Sequence, residues 1–251
     1  TLLLRQPSVS AQHLAFVHAG DIWRAERSGA NPQRLTTHAA AEFAPRFSPD
    51  GRWIAFSASY DGNTDVYLMP TEGGQPRRLT WHPGLDVVSG WSADGRRILF
   101  ASPREVANNR SNQLYEVAIE GGFETKLMEA VAFEGAWSAD GRRLAYRPYR
   151  QAYNGAAGWR QHRGGTTPPI WIIEGLGSKT PQWEQVPHVN ATDSNPGWVG
   201  DELVFISDRN DGAANLFAYQ PRSKTLRQLT RETQWDVRSV DAQGQTLVYE
   251  V

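Results

Sequence analysis

Phe47-Ser48-Pro49-Asp50-Gly51-Arg52-Trp53-Ile54-Ala55-Phe56-Ser57 joins a tight turn to a short apolar strand. Pro49 presets φ, Asp50 can bond its own backbone, and Gly51 accepts the positive φ that closes such a turn. In the strand that follows, Ile54 and Phe56 point to one face while their neighbours point to the other. That is the two-residue period of a β-strand, and no segment of the chain keeps a convincing 3.6-residue period.

The same unit recurs as Trp91-Ser92-Ala93-Asp94-Gly95-Arg96 and Trp137-Ser138-Ala139-Asp140-Gly141-Arg142. An aromatic closes the following strand at Phe16, Phe56, Phe100, Tyr146, Phe205 and Tyr249, with successive gaps of 40, 44, 46, 59 and 44 residues. A second aromatic series follows in Asp21-Ile22-Trp23, Asp65-Val66-Tyr67, Gln113-Leu114-Tyr115, Pro169-Ile170-Trp171 and Asn215-Leu216-Phe217. Each unit ends on a short polar strand such as Arg34-Leu35-Thr36, Arg78-Leu79-Thr80 or Gln228-Leu229-Thr230. Four short strands per repeat make a propeller blade.

The sequence therefore predicts one all-β domain over 1–251, a propeller of four-stranded blades with repeats at about 1–38, 39–82, 83–129, 130–188, 189–231 and 232–251. Six blades are expected, with the last incomplete: its inner strand falls around Trp235 to Ser239 and its second at Thr246 to Val251. An unfinished blade leaves an exposed strand edge and an open ring, so the chain reads as a fragment of a longer multidomain protein.

Composition narrows the function. With 26 Lys plus Arg against 27 Asp plus Glu there is no basic field to recruit nucleic acid. The absence of cysteine removes disulfides, thiolate metal sites and a cysteine nucleophile together. Apolar runs such as Leu2 to Leu4 and Ile170 to Ile173 are strand-sized, so no membrane-spanning helix is expected. Ten Trp, eight Tyr and nine Phe among 23 Gly and 15 Pro suit short strands separated by turns.

No residue stands out as catalytic or metal-binding, and no cofactor is expected. Gly90-Trp91-Ser92-Ala93-Asp94 falls on the repeated turn and is no nucleophile elbow. His38, His82 and His188 each follow the last strand of a repeat, which equivalent repeats explain without a metal. Asp61-Gly62-Asn63-Thr64-Asp65 starts like a calcium loop, but Val66 stands where the sharp turn needs glycine. The one irregular gap comes from an insertion around Pro148 to Gly165. Its cations and aromatics, Arg147, Tyr149, Arg150, Tyr153, Trp159, Arg160, His162 and Arg163, suit a contact with a peptide or a neighbouring domain.

The Ser-Pro-Asp-Gly-Arg, Ile-Ala-Phe and Asp-Val-Tyr strings resemble TolB-like repeats, which specify a fold more than a function. Longer strings narrow the likeness: Ala19-Gly20-Asp21-Ile22-Trp23, Tyr60-Asp61-Gly62-Asn63-Thr64-Asp65-Val66-Tyr67, Arg163-Gly164-Gly165-Thr166 and Trp198-Val199-Gly200-Asp201. In this order they resemble the N-terminal propeller of tricorn-type serine proteases. The resemblance implies a six-bladed propeller preceding a second propeller, a PDZ-like domain and a serine-peptidase core. It also implies a noncatalytic role here, gating peptides and contributing to domain assembly, with peptides and downstream domains as partners. A homo-oligomeric parent and a cytoplasmic location, with export as the alternative, follow from the same likeness. Two other readings stay open: a stand-alone TolB-like interaction propeller, and a propeller attached to a different hydrolase.

Overall fold

The Ser-x-Asp-Gly-Arg turns take one geometry three times. In each, the serine hydroxyl donates to the aspartate: Ser48 to Asp50 at 2.5 Å, Ser92 to Asp94 at 2.7 Å and Ser138 to Asp140 at 2.6 Å. The aspartate accepts the arginine N–H two residues on, at 3.0 to 3.1 Å. The serine oxygen also accepts the N–H that starts the next strand, from Trp53, Arg97 or Arg143. Gly51, Gly95 and Gly141 sit at φ of 71°, 69° and 68°, where a side chain would be strained.

The structure, a computed structural model, describes residues 3–106, 111–149, 163–164, 166–210 and 212–251. Blade one holds β1 (Arg5–Val9), β2 (His13–His18), β3 (Asp21–Glu26) and β4 (Gln33–Arg34). Blade two holds β5 (Glu42–Phe47), β6 (Trp53–Ala58), β7 (Asp65–Pro70) and β8 (Arg77–Arg78). Blade three holds β9 (Val87–Trp91), β10 (Arg97–Ser102), β11 (Gln113–Ala118) and β12 (Thr125–Lys126). Blade four holds β13 (Glu134–Trp137), β14 (Arg143–Arg147), β15 (Trp171–Glu174) and β16 (Gln182–Gln185). Blade five holds β17 (Asp193–Val199), β18 (Glu202–Ser207), β19 (Asn215–Gln220) and β20 (Thr225–Gln228). Each is an antiparallel meander in chain order.

The expectation of six blades is corrected to five four-stranded blades. The sixth repeat forms a two-stranded sheet, β21 (Ser239–Gln243) and β22 (Thr246–Glu250). The expected inner strand at Trp235 to Ser239 is also displaced, because that stretch is tethered to blade five: the Ala214 N–H donates to Asp236 and the Val237 N–H to the Ala214 carbonyl. The expected open ring is not what the chain forms either, since β21 and β22 lie against β1, and β21 also against β17.

Between blades, the aromatic closers build the core. Phe56, Phe100 and Phe205 are completely buried and stack on the aromatic opposite them, Tyr67, Tyr115 and Phe217, with centroids 5.8 to 6.2 Å apart. Alternate faces pack against successive blades: Ala15, Val17 and Ile22 of blade one join Ile54, Phe56 and Met69 of blade two, while Ala55, Val66 and Leu68 join Ile98, Phe100 and Val117 of blade three.

The turn aspartates carry a pH signature. The hydroxyls of Ser92 and Ser138, with the arginine N–H groups, hold Asp94 and Asp140 below their ordinary value of 3.8. A carboxylate depressed in the folded state stabilises it above its unfolded pKa, and that contribution is lost as pH falls below it. The Asp94→Asn/Asp140→Asn double variant is therefore expected to lose less stability than the parent between about pH 4 and pH 2, as read by urea unfolding at each pH. Equal pH slopes would refute the assignment.

Candidate functional site

The inner strands of all six sheets surround a central channel. Its wall includes Val9, Arg46, Ser89, Glu134, Asn195 and Asp241, one from each sheet in turn, and it encloses about 200 Å³. Inner strands of neighbouring blades do not form one ladder, so each has an edge that pairs with nothing on its own sheet. The sequence deals with this through bulges.

In β1, β5 and β17 the pairing register shifts between Arg5 and Ser8, Phe43 and Arg46, and Ser194 and Gly197. At each shift a residue with positive φ precedes a proline: Gln6-Pro7 (φ 51°), Ala44-Pro45 (53°) and Asn195-Pro196 (51°). Proline suits such a place because it has no N–H to orphan on a strand edge. The residue before it does have one, and each finds an acceptor on the preceding sheet of the ring. Gln6 donates to Glu250 at 2.8 Å, Ala44 to the Gln6 side-chain oxygen at 2.8 Å, and Asn195 to Glu134 at 2.7 Å.

Other bonds complete the seams. Ser8 Oγ and the Val9 N–H both donate to Asp241 Oδ2, at 2.7 and 3.0 Å, and Phe47 N–H donates to Ser8 Oγ at 3.1 Å. Ser89 Oγ donates to the Gly135 carbonyl and accepts its N–H. Trp91 and Trp198 each donate an indole N–H to a carbonyl of the preceding blade, of Arg46 and Ala136 respectively, both at 3.0 Å. A Cβ at Gly135 would lie 2.7 Å from the Leu114 Cδ1 methyl and 3.2 Å from the Ala145 carbonyl, so a side chain there would force Leu114 to shift.

The charges in the wall are engaged. Arg46 lies 3.8 Å from Asp241, and Glu134 holds Arg147 at 2.8 Å. The X-Pro bulges were legible as proline two to four residues into three inner strands, a signal the sequence reading did not use.

At one end of the ring, the connections between blades meet the turns between second and third strands, as when the Glu42 N–H donates to the Gly20 carbonyl. The blade-four insertion leaves from this end, between β14 and β15. Arg147, expected on the loop, instead ends β14, buried and stacked 5.0 Å from the Phe133 ring. Tyr149 donates its hydroxyl to the Thr167 carbonyl at 3.3 Å. At the other root, Arg163 grips Asp208 of blade five through the carbonyl at 2.8 Å and the carboxylate at 3.2 Å, and Gly164 N–H donates to Asn190. The remaining expected contact residues, Arg150, Tyr153, Trp159, Arg160 and His162, lie outside the described residues.

The three connection histidines act locally. His38 and His82 each accept a backbone N–H two residues on, and His188 pairs with buried Asp193 at 2.9 Å, which also binds Arg209 at 3.0 Å. Asp61, the first residue of the calcium-like string, pairs with Arg78 at 2.8 Å. Among the described residues no cluster of three or more His, Asp or Glu could hold a metal, and no helix is long and apolar enough to cross a membrane.

The seam at Asp241 carries the ring closure. Asp241→Ala removes the acceptor of two bonds and is expected to cost roughly 1–3 kcal/mol in chemical denaturation, with Asp241→Asn milder. A loss below about 0.3 kcal/mol for the alanine variant would show that the closure does not depend on it.

Residues 1–251 match the family described as the tricorn protease N-terminal beta propeller domain. Tricorn protease homolog 1 of Streptomyces coelicolor is 30% identical over 249 residues, 98% of this chain and 22% of its own length. The crystal structure of the tricorn protease superposes with a TM-score of 0.83 at 24% identity, covering 99% of this chain and 24% of that one. A TolB protein of Agrobacterium tumefaciens superposes at 0.71 with 23% identity, covering 91% and 81%. The chain thus spans about a fifth of the length of the tricorn relatives it matches, and it belongs to the tricorn protease N-terminal β-propeller family.

Proposed function

We propose that this propeller is the noncatalytic N-terminal module of a longer tricorn-type serine peptidase that filters peptides and helps assemble the domains around it. The match of the whole of residues 1–251 to the tricorn N-terminal family carries this reading. The channel supports it physically. A pore walled by six inner strands can admit an extended chain and refuse a folded one, by width alone.

The wall is also built for this passive task. Arg46 and Asp241 are committed to each other, Asp241 also accepts from Ser8 across a seam, and Glu134 binds Arg147 of its own blade and Asn195 of the next, so none is presented as a nucleophile and base. The blade-four insertion is the proposed contact with a peptide or a downstream domain, with Arg147 and Arg163 as its anchors. A homo-oligomeric parent in the cytoplasm belongs to the same reading.

The second reading, a stand-alone TolB-like interaction propeller, is favoured by the superposition on a TolB protein of which this chain covers 81%. A panel of fluorogenic peptides separates the two. The 251-residue chain is expected to cleave none, and the longer gene product to cleave some. Cleavage by the isolated propeller would overturn its noncatalytic role, and silence from both would favour the interaction propeller.

A further inference from the structure

Three arginines line one outer groove and have no acid to take them. The groove lies between blades four and five, at the end of the ring where the Ser-x-Asp-Gly-Arg turns stand, and shares no lining residue with the channel. It measures about 530 Å³ and sets Ile172 and Pro221 beside Arg142, Arg143 and Arg222. None of these three guanidiniums forms an ion pair among the described residues.

The neighbouring blades show what has changed. The third residue before the closing aromatic is Arg97 in blade three, Arg143 in blade four and Glu202 in blade five. Arg97 pairs with Glu116 at 3.3 Å, and Glu202 with Arg227 at 2.5 Å. Glu116 stands opposite Leu99 in blade three, whereas the matching place in blade four, opposite Ala145, holds Ile172. Without that carboxylate Arg143 lies half-buried, its guanidinium stacked 4.6 Å from the centre of the Trp198 ring. Stacking occupies the flat face of a guanidinium and leaves the N–H groups on its edge to donate elsewhere.

Most acids in the same walls are already engaged. Asp140 accepts from the Ser138 hydroxyl and the Arg142 N–H inside its own turn, and the Arg142 and Arg143 guanidiniums act on it only through space. Glu184 pairs with Lys224 at 2.7 Å and accepts from the Tyr219 hydroxyl. Glu174, opposite Arg143 in the register, is left. Three unpaired guanidiniums therefore face one unpaired carboxylate.

We infer that this groove binds an acidic segment of a partner polypeptide, with an Asp or Glu side chain seated on the forks of Arg143 and Arg222. A planar carboxylate takes two parallel N–H donors from one guanidinium. Asp140, Glu174 and Glu184 argue against a phosphate, whose second negative charge they would repel. An extended chain also suits the border of the groove. There β16 pairs with β15 alone and offers its outer edge, at Gln182 to Glu184, to a passing main chain.

Fluorescence anisotropy of a labelled Glu-Ala repeat peptide, added to the 251-residue chain at low salt, tests this against a Gln-Ala peptide of the same length. The acidic peptide is expected to bind and the amide peptide not. Arg143→Gln/Arg222→Gln is expected to weaken binding by about tenfold or more, because charge-assisted hydrogen bonds are lost at both positions. Arg222→Gln alone changes an exposed turn and leaves the Trp198 contact intact, so its expected loss of roughly fivefold cannot come from misfolding. Arg52→Gln, at an arginine paired with Asp50 in blade two, should leave binding unchanged. No binding, equal binding of the amide peptide, or full binding by both groove variants would overturn the inference. Displacement by inorganic phosphate where sodium chloride of equal ionic strength has no effect would make this a phosphate site and overturn the peptide assignment.

Discussion

Inner strands of a propeller must surround a channel without pairing to one another, so every N–H that a bulge displaces from the ladder needs an acceptor from elsewhere. At the three bulges that carry proline the acceptor comes from the preceding sheet: Glu250 for Gln6, Gln6 for Ala44, Glu134 for Asn195. A positive φ before proline is an unfavourable backbone state, and it persists only where the surroundings over-determine it. These bonds do that while joining one sheet to the next, so the bulges that shape the channel are also what hold neighbouring blades in register around it.

The outer architecture rests on a second device that the channel does not see. Arg104 stacks over Phe100 and Tyr115 at 5.2 and 4.8 Å and binds buried Asp86; Arg209 does the same over Phe205 and Phe217 and binds Asp193. Each arginine covers the aromatic pair of its own blade and pins the carboxylate that starts, or just precedes, the inner strand. A buried ion pair of this kind does little for net stability but is costly to break on one side, which favours a single blade arrangement.

The blades were legible because turn and strand chemistry are local. Ser48-Pro49-Asp50-Gly51 closes within itself, and Ile54 and Phe56 announce their face by alternation. The error in the sixth repeat has the same origin. Trp235, Val237 and Ser239 alternate like a strand, whereas β21 reads Ser-Val-Asp-Ala-Gln, with little apolar signal, because its side chains serve the channel and the Asp241 seam. The seams themselves could not be read, since Ala44 meets Gln6 and Asn195 meets Glu134 across 38 and 61 residues. At the insertion, the sequence marked Arg147 and Arg163 as unusual cations but not their partners: Glu134, set opposite Arg147 by the register of β13 and β14, and Asp208, which lies on the next blade.

The ring closes through sheet six, whose strands lie against β1 and β17. The chain has no cysteine, so spin labels can be placed at Arg27→Cys and Thr246→Cys, an exposed position on blade one and a half-buried one on β22 whose side chains meet at 3.0 Å. Electron spin resonance distance measurement on the doubly labelled chain should give a single short, narrow distribution. A broad distribution centred at long distance would mean that blade one and sheet six part in solution, and the closed channel with its seams would fall with it.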